Sequence, residues 1–172
     1  LPMSTSIRAA RPNLNPKSLP TLALAGRANI TFRNMEQLTH MNVRIKQLRD
    51  KQDRKKMLPI YYVNISLLAD GRSGHQFAGT VFSESLTYRL GKGVTPNSRL
   101  AQALGWVVAA IKNPAILGTR VGLFHNGTCC KCGLPLTHPE SINTAMGPVC
   151  LERVKAAMTT TDFAETFTPI GV

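Results

Sequence analysis

Residues 125–150 read HNGTCCKCGLPLTHPESINTAMGPVC, and this segment holds all four cysteines of the chain. Cys129 and Cys132 have the C-x2-C spacing at which two thiolates bind one tetrahedral zinc ion. Cys150 can supply a third thiolate, because it lies in the predicted first turn of a helix, where free N–H groups stabilise a negative charge. The segment therefore predicts a C-terminal zinc-binding module over residues 125–158.

The fourth zinc ligand has three candidates. His125 is the preferred one, since it lies four residues before Cys129 across an Asn-Gly turn, and it gives a Cys3His site. His138 can also supply a nitrogen, and Cys130 can replace His125, although adjacent cysteines rarely bind one metal without strain. We expect the cysteines to bind one Zn²⁺ per chain and not to form disulfides, because disulfides do not persist in the reducing cytosol. The site is expected to be closed and structural, since a catalytic zinc would keep an open position beside an acid or base.

The charge of the chain is lopsided. It has 21 Lys and Arg against 9 Asp and Glu, for a formal net charge of +12. Residues 1–57 carry 12 of the basic groups and 3 of the acidic ones. The densest basic run comprises Arg44, Lys46, Arg49, Lys51, Arg54, Lys55 and Lys56, opposed only by Asp50 and Asp53. Such an excess predicts a polyanionic partner, and we interpret the run as a nucleic-acid-binding segment for DNA or RNA.

Aromatic residues are scarce, at 6 % of the chain. Base stacking is therefore not expected to dominate binding. We expect contacts to the phosphate backbone instead, with weak sequence preference. Four aromatic side chains can offer stacking faces, although a place in the core suits each of them better. They are Tyr61, Tyr62, Tyr88 and Trp106.

Hydrophobic patterning predicts an α+β fold, in which an antiparallel β-sheet packs against one helix and ends in the Cys3His zinc knuckle with a short helix. We expect a basic, proline-containing flexible arm over residues 1–27, the sheet with a helix at 98–112 over residues 28–125, and a C-terminal tail over residues 159–172. Residues 39–46 fit a strand by alternation, but the apolar spacing around them also fits a helix. The strand is the favoured interpretation.

The cysteine segment resembles a family of small zinc-ribbon domains encoded by phages, prophages and plasmids, whose function is unassigned. The shared pattern is a His, then C-x2-C-G-R, L-T-x-P-x-S and G-x-G-P-x-C, and weaker similarity extends over about residues 23–152. The resemblance implies zinc ligation by Cys129, Cys132 and Cys150, and it favours the strand at 39–46. This chain departs from the pattern with Leu134 in place of Arg and Ala145 in place of Gly.

Together these features predict a phage or mobile-element accessory protein that binds nucleic acid in the bacterial cytoplasm. The alternative is an inhibitor or adaptor that binds a protein of the host or phage, such as a transcription, nuclease or defence complex. We expect no enzymatic activity, because no H-E-x-x-H, G-x-S-x-G or clustered-carboxylate pattern occurs. We expect no membrane association either, since no apolar run approaches the length of a membrane span.

Overall fold

The computed structural model describes residues 13–67 and 74–170. Six strands form the sheet: β1 Arg27–Asn34, β2 His40–Arg49, β3 Met57–Ser66, β4 Gln76–Phe82, β5 Thr87–Leu90 and β6 Val121–His125. Five helices accompany it within these two ranges: α1 Leu19–Ala23, α2 Arg99–Lys112, α3 Pro139–Thr144, α4 Pro148–Ala157 and α5 Thr160–Phe167. Short 3-10 turns cover Pro16–Ser18 and Pro114–Leu117.

The sheet has the strand order β5-β4-β3-β2-β1-β6, and every neighbouring pair is antiparallel. β1 to β5 follow one another as a meander. The chain then returns through α2 to the opposite edge, where β6 pairs with β1. This return brings the end of β6, which leads into the cysteine segment, beside the start of the meander.

One face of the sheet carries the core. Its buried residues alternate along β1, β2 and most of β3, as expected for a sheet that is covered on one side. The core includes Ile30, Val43, Val63, Val81 and Leu123. The apolar side of α2 packs on this face with Leu104, Val107, Val108 and Ile111. The Ser98 side chain accepts a hydrogen bond from the backbone N–H of Ala101 and so caps α2. The predicted α+β fold is confirmed.

The ambiguous segment at 39–46 is a strand. It belongs to β2, which extends to Arg49 and pairs along its length with both β1 and β3. Tertiary pairing therefore decides between two patterns that the local sequence supports about equally. The basic run continues from this strand into the β2–β3 loop, residues 50–56.

The expectation of a flexible arm over residues 1–27 is wrong for residues 13–27. Leu14, Leu19 and Leu22 are fully buried in the same core as the sheet. Asn13 and Leu14 hydrogen-bond the backbone of Leu123 in β6, which fixes the start of the described chain. Residues 1–12 of the predicted arm lie outside the described residues.

The predicted tail over residues 159–172 contains α5. Phe167 of this helix is buried, and its ring stacks on Phe163 with centroids 5.0 Å apart. The Asn15 side chain donates hydrogen bonds to the carbonyl oxygens of Glu165 (2.6 Å) and Thr168 (3.0 Å), so the two ends of the described chain are joined. Within the described residues, no helix has the length and apolar character that crossing a membrane requires.

Candidate functional site

Three cysteines form a cluster at the edge of the fold. The sulfur atoms of Cys129, Cys132 and Cys150 all lie within 4.8 Å of one another. A tetrahedral ion with Zn–S bonds of about 2.3 Å holds its sulfurs roughly 3.8 Å apart, so the sulfurs of the cluster lie within about 1 Å of the spacing that such an ion requires. Cys129 is buried, Cys150 half-buried and Cys132 exposed. The structure thus brings together a possible metal site from residues that are 21 positions apart in sequence.

A small hairpin positions the first two cysteines. The backbone N–H of Cys129 donates to the carbonyl of Leu134, and the Gly133 N–H donates back to the carbonyl of Cys129, both at 2.8 Å. Gly133 adopts a positive φ of 80°, which glycine tolerates without strain. Cys150 approaches from α4, where it occupies the first turn behind Pro148. Its thiolate is therefore favoured by the positive end of the helix dipole.

The negative charge on one cysteine of the cluster opposes ionisation of the next, and a bound cation would remove this repulsion. Burial opposes ionisation of Cys129, but N–H groups of Gly147, Cys132 and Lys131 point at its sulfur and hold the pKa of Cys129 below its usual value. Burial and the negative charge of Cys129 together raise the pKa of Cys150 to about 12. One thiolate thus suppresses the next in the absence of metal. A divalent cation would displace the remaining protons and neutralise the repulsion.

Cys130 does not belong to the cluster. Its side chain is fully buried in the hydrophobic core, and burial raises the pKa of Cys130 to about 12. Its backbone N–H donates to Ala145 at 3.0 Å, and its carbonyl accepts from the N–H of Arg27 at 2.7 Å. Cys130 therefore anchors the hairpin to β1 and to the end of α3 as a neutral thiol.

The expectation that His125 is the fourth ligand is not met by the geometry. His125 is buried at the end of β6, outside the cysteine group. Its Nδ1 accepts from the Gly127 N–H at 2.9 Å, and its Nε2 lies 2.6 Å from the Ile142 carbonyl, to which it donates. The alternative ligand His138 is exposed before α3 and is not in the group either. Among the described residues, only the three cysteines converge.

The hydrogen bonds of His125 predict a structural effect for its replacement. His125→Ala leaves the Ile142 carbonyl and the Gly127 N–H without their partner, at an expected cost of about 2–4 kcal/mol in unfolding free energy. His138→Ala is expected to stay within about 0.5 kcal/mol of the wild type. Thermal unfolding of both variants measures this difference. The visible spectrum of the cobalt-loaded protein should be the same in His125→Ala as in the wild type, and a changed spectrum would return His125 to the ligand shell.

Glu140, the one carboxylate between Cys132 and Cys150 in the sequence, contributes to the packing of the helices. It forms an ion pair with Lys155 of α4, with Nζ and Oε1 2.8 Å apart. Glu152 also lies 3.7 Å from the same ammonium group. The pair joins α3 to α4 and so helps to hold Cys150 near the hairpin. Because both side chains are exposed to solvent, screening by water and salt keeps the contribution of this pair to stability small.

The seven predicted nucleic-acid-binding residues lie on one hairpin. Arg44 and Lys46 project from β2, and the others continue from Arg49 through the β2–β3 loop. All seven side chains are exposed: Arg44, Lys46, Arg49, Lys51, Arg54, Lys55 and Lys56. The structure therefore brings together a continuous basic surface, whose ligand no contact in the structure identifies.

The two acidic residues in this loop hold its shape. The Asp50 carboxylate accepts hydrogen bonds from the N–H groups of Gln52 and Asp53, and these bonds lower the pKa of Asp50. The Asp53 carboxylate accepts from the N–H of Lys55 in the same way. The loop is further closed by the Arg49 guanidinium, which donates to the Arg54 carbonyl at 3.0 Å. The cations are thus presented on a turn with fixed backbone hydrogen bonds.

Sequence reasoning missed three cations on the same side of the sheet. Arg27 and Lys46 are directly opposed in the β1–β2 ladder, and Arg33 lies six residues further along β1 on the same face. Arg89 opposes Thr80, which opposes Tyr62, which opposes Lys46. The alternation of Asn29, Thr31 and Arg33 in the sequence was the signal for this face, but strand order was needed to join it to Arg89.

The four candidate aromatic residues divide into two groups. Tyr61 is buried with its hydroxyl donating to the Leu24 carbonyl at 2.7 Å, and Trp106 packs edge-on against Phe32 at 5.1 Å. Both therefore belong to the core and its margin. Tyr62 and Tyr88 are exposed, on opposite faces of the sheet.

Residues 123–155 match a family of unknown function, DUF6011. The matched segment includes all three clustered cysteines. No curated protein and no solved structure shows significant similarity to this chain.

Proposed function

We propose that the protein binds nucleic acid through the basic hairpin of β2 and β3, and that a zinc ion held by the cysteine cluster stabilises its C-terminal part. The observation that carries the proposal is the charge of the sheet. The six strands together contain no Asp or Glu, whereas the face opposite the core carries Arg27, Arg33, Arg44, Lys46 and Arg89. A field of one sign over an open surface attracts a polyanion.

The shape of the basic surface also supports this proposal. The β2–β3 loop is ordered by its own aspartates, so its lysines and arginine do not have to be immobilised from a random loop when a ligand binds. Phosphate contacts from such a surface fix position and carry little sequence information. The resemblance of the cysteine segment supports an accessory role of this kind in a phage or another mobile element.

Zinc is the proposed ion because of its ligands. Three thiolates select zinc over magnesium, calcium or manganese, which prefer oxygen. Cys129, Cys132 and Cys150 would hold it, and the ion would supply charge neutralisation and cross-linking between the hairpin and α4. The proposed role is structural, because Glu140, the one carboxylate that the sequence places between Cys132 and Cys150, is engaged by Lys155.

A salt titration tests the nucleic-acid proposal. If about four cations neutralise phosphates of a duplex, the logarithm of the association constant should fall against the logarithm of salt concentration with a slope near −3.6, because each contact releases about 0.9 counterion. Fluorescence anisotropy with labelled DNA and RNA of mixed sequence provides the measurement. No binding to either polymer at about 50 mM salt would refute the proposal. A protein partner recovered from nuclease-treated host lysate, with no binding to nucleic acid, would favour the inhibitor or adaptor alternative.

A further inference from the structure

We infer that the face of the sheet opposite the core binds single-stranded nucleic acid, with Tyr62 and Phe77 as the platform on which bases stack. This inference rests on the proposed function and names the form of nucleic acid that the surface takes. It extends the binding surface from the basic hairpin, which sequence composition indicates, to the centre of the sheet.

The residues of this face stand in a row across five strands. Arg89, Thr80, Tyr62, Lys46 and Arg27 are successive cross-strand partners on β5, β4, β3, β2 and β1. Cross-strand partners place their side chains on the same face of a sheet. With neighbouring strands about 4.8 Å apart, the row spans roughly 19 Å. A cation stands at each end of it, and an aromatic ring stands in the middle.

Two large aromatic side chains on this face are exposed to solvent, although side chains of this kind are usually buried. Tyr62 on the central strand β3 is 44 % exposed, and Phe77 on β4 is 40 % exposed. Their rings meet edge to face with centroids 5.2 Å apart and an interplanar angle of 73°. The pair is therefore fixed relative to each other and leaves ring surface open to solvent. Bases offer a flat apolar face to such rings whatever their sequence.

The cations around the pair suit a phosphate backbone. Lys46 is the direct neighbour of Tyr62 on β2, and Arg44 is two residues from Lys46 on the same face. On the other side, the Arg89 guanidinium lies over the Phe82 ring at 5.7 Å and is thereby held next to the row. Aromatic rings flanked on both sides by cations match a strand whose bases are splayed onto the sheet while its phosphates contact Lys46 and Arg89.

The single-stranded form is favoured over a duplex by the aromatic pair. Base pairs stack on one another inside a duplex, so that rings on a flat sheet have no base face to contact. Phosphate contacts alone would need Arg44, Lys46 and the loop but no exposed ring at the centre of the face. A protein partner is disfavoured, because an acidic protein surface would pair with the cations but would not explain why two aromatic rings are exposed among them.

The test replaces each ring by threonine, whose β-branched side chain suits a strand and so preserves the fold. Tyr88→Thr is the matched control, because Tyr88 is the same residue type, is 43 % exposed and lies on the other face. Ligands are labelled oligo-dT and oligo-U of about 15 nucleotides, a duplex of equal length and an abasic oligomer. Comparison of oligo-dT with oligo-U distinguishes DNA from RNA.

Tyr62→Thr and Phe77→Thr should each weaken binding to oligo-dT or oligo-U roughly ten-fold, which corresponds to the loss of one stacked base. Their binding to the abasic oligomer and the duplex should stay within about two-fold of the wild type, and Tyr88→Thr should change none of these affinities. If both ring variants bind single strands as the wild type does, while reversing charges in the β2–β3 loop still removes binding, the inference fails and the proposed function stands. If the wild type binds neither form, both fail together.

Discussion

Replacing Cys132 or Cys150 by serine is expected to leave the purified protein without its metal ion and with an unfolded C-terminal part. Binding of zinc to structural thiolate sites contributes on the order of 10 kcal/mol to folding, which is comparable to the whole stability of a small domain. The helix that carries Cys150 has little else to hold it, because Leu151 is the only buried side chain of α4 and the ion pair of Glu140 with Lys155 is exposed. Elemental analysis and circular dichroism of the two variants measure both effects.

Cys130→Ser is the control for this prediction. It changes the same chemical group in the same hairpin, but Cys130 faces the core and not the cluster. We expect one zinc ion per chain to be retained and the loss of stability to be about 1–2 kcal/mol, the cost of a buried hydroxyl with incomplete hydrogen bonding. Equal damage from Cys130→Ser and Cys132→Ser would contradict the assignment of ligands, and metal-free wild-type protein would contradict the site itself.

The clustering of Cys129, Cys132 and Cys150 could be predicted from the sequence, because it depends largely on local spacing. Two thiolates in a C-x2-C turn and a third in a first helical turn are arrangements that neighbouring residues encode. The prediction that His125 binds the metal ion rested on spacing alone, and the structure places its ring outside the cysteine cluster. At the end of β6, its ring is buried between the Gly127 N–H and the Ile142 carbonyl, and only the tertiary fold brings that carbonyl close.

The strands were predictable where alternation was clear and no other period competed. For residues 39–46 the helical and strand patterns overlapped, and pairing with β1 and β3 decided the outcome. The N-terminal segment was misjudged because prolines and charges dominate its composition. Its few leucines are buried beneath elements distant in sequence, as the hydrogen bond from Leu14 to Leu123 illustrates. The composition of a segment gives no information on the distant residues that it contacts in the folded protein.

Reversing three charges in the β2–β3 loop is expected to remove most nucleic-acid binding. Arg54→Glu, Lys55→Glu and Lys56→Glu together replace three attractive contacts with three repulsive ones, and affinity for DNA or RNA should fall by at least about a hundredfold at low salt. The fold should persist, because all three side chains are exposed and the loop is shaped by Asp50 and Asp53 through backbone N–H groups. Salt titrations of the wild type and the triple variant provide the measurement.

A second triple variant separates a local contact from the effect of total charge. Lys17→Glu, Arg99→Glu and Lys112→Glu lower the net charge by the same amount, but these exposed side chains lie on the Pro16–Ser18 turn and on α2, away from the basic hairpin. If the hairpin contacts phosphates directly, this variant loses only long-range attraction, and its affinity should fall less than ten-fold at about 150 mM salt, where screening is strong. Both variants should retain zinc, because none of the six residues belongs to the cysteine cluster. Equal losses in the two variants would mean that net charge alone attracts the polyanion, and the hairpin would then be a solvated loop of no particular function.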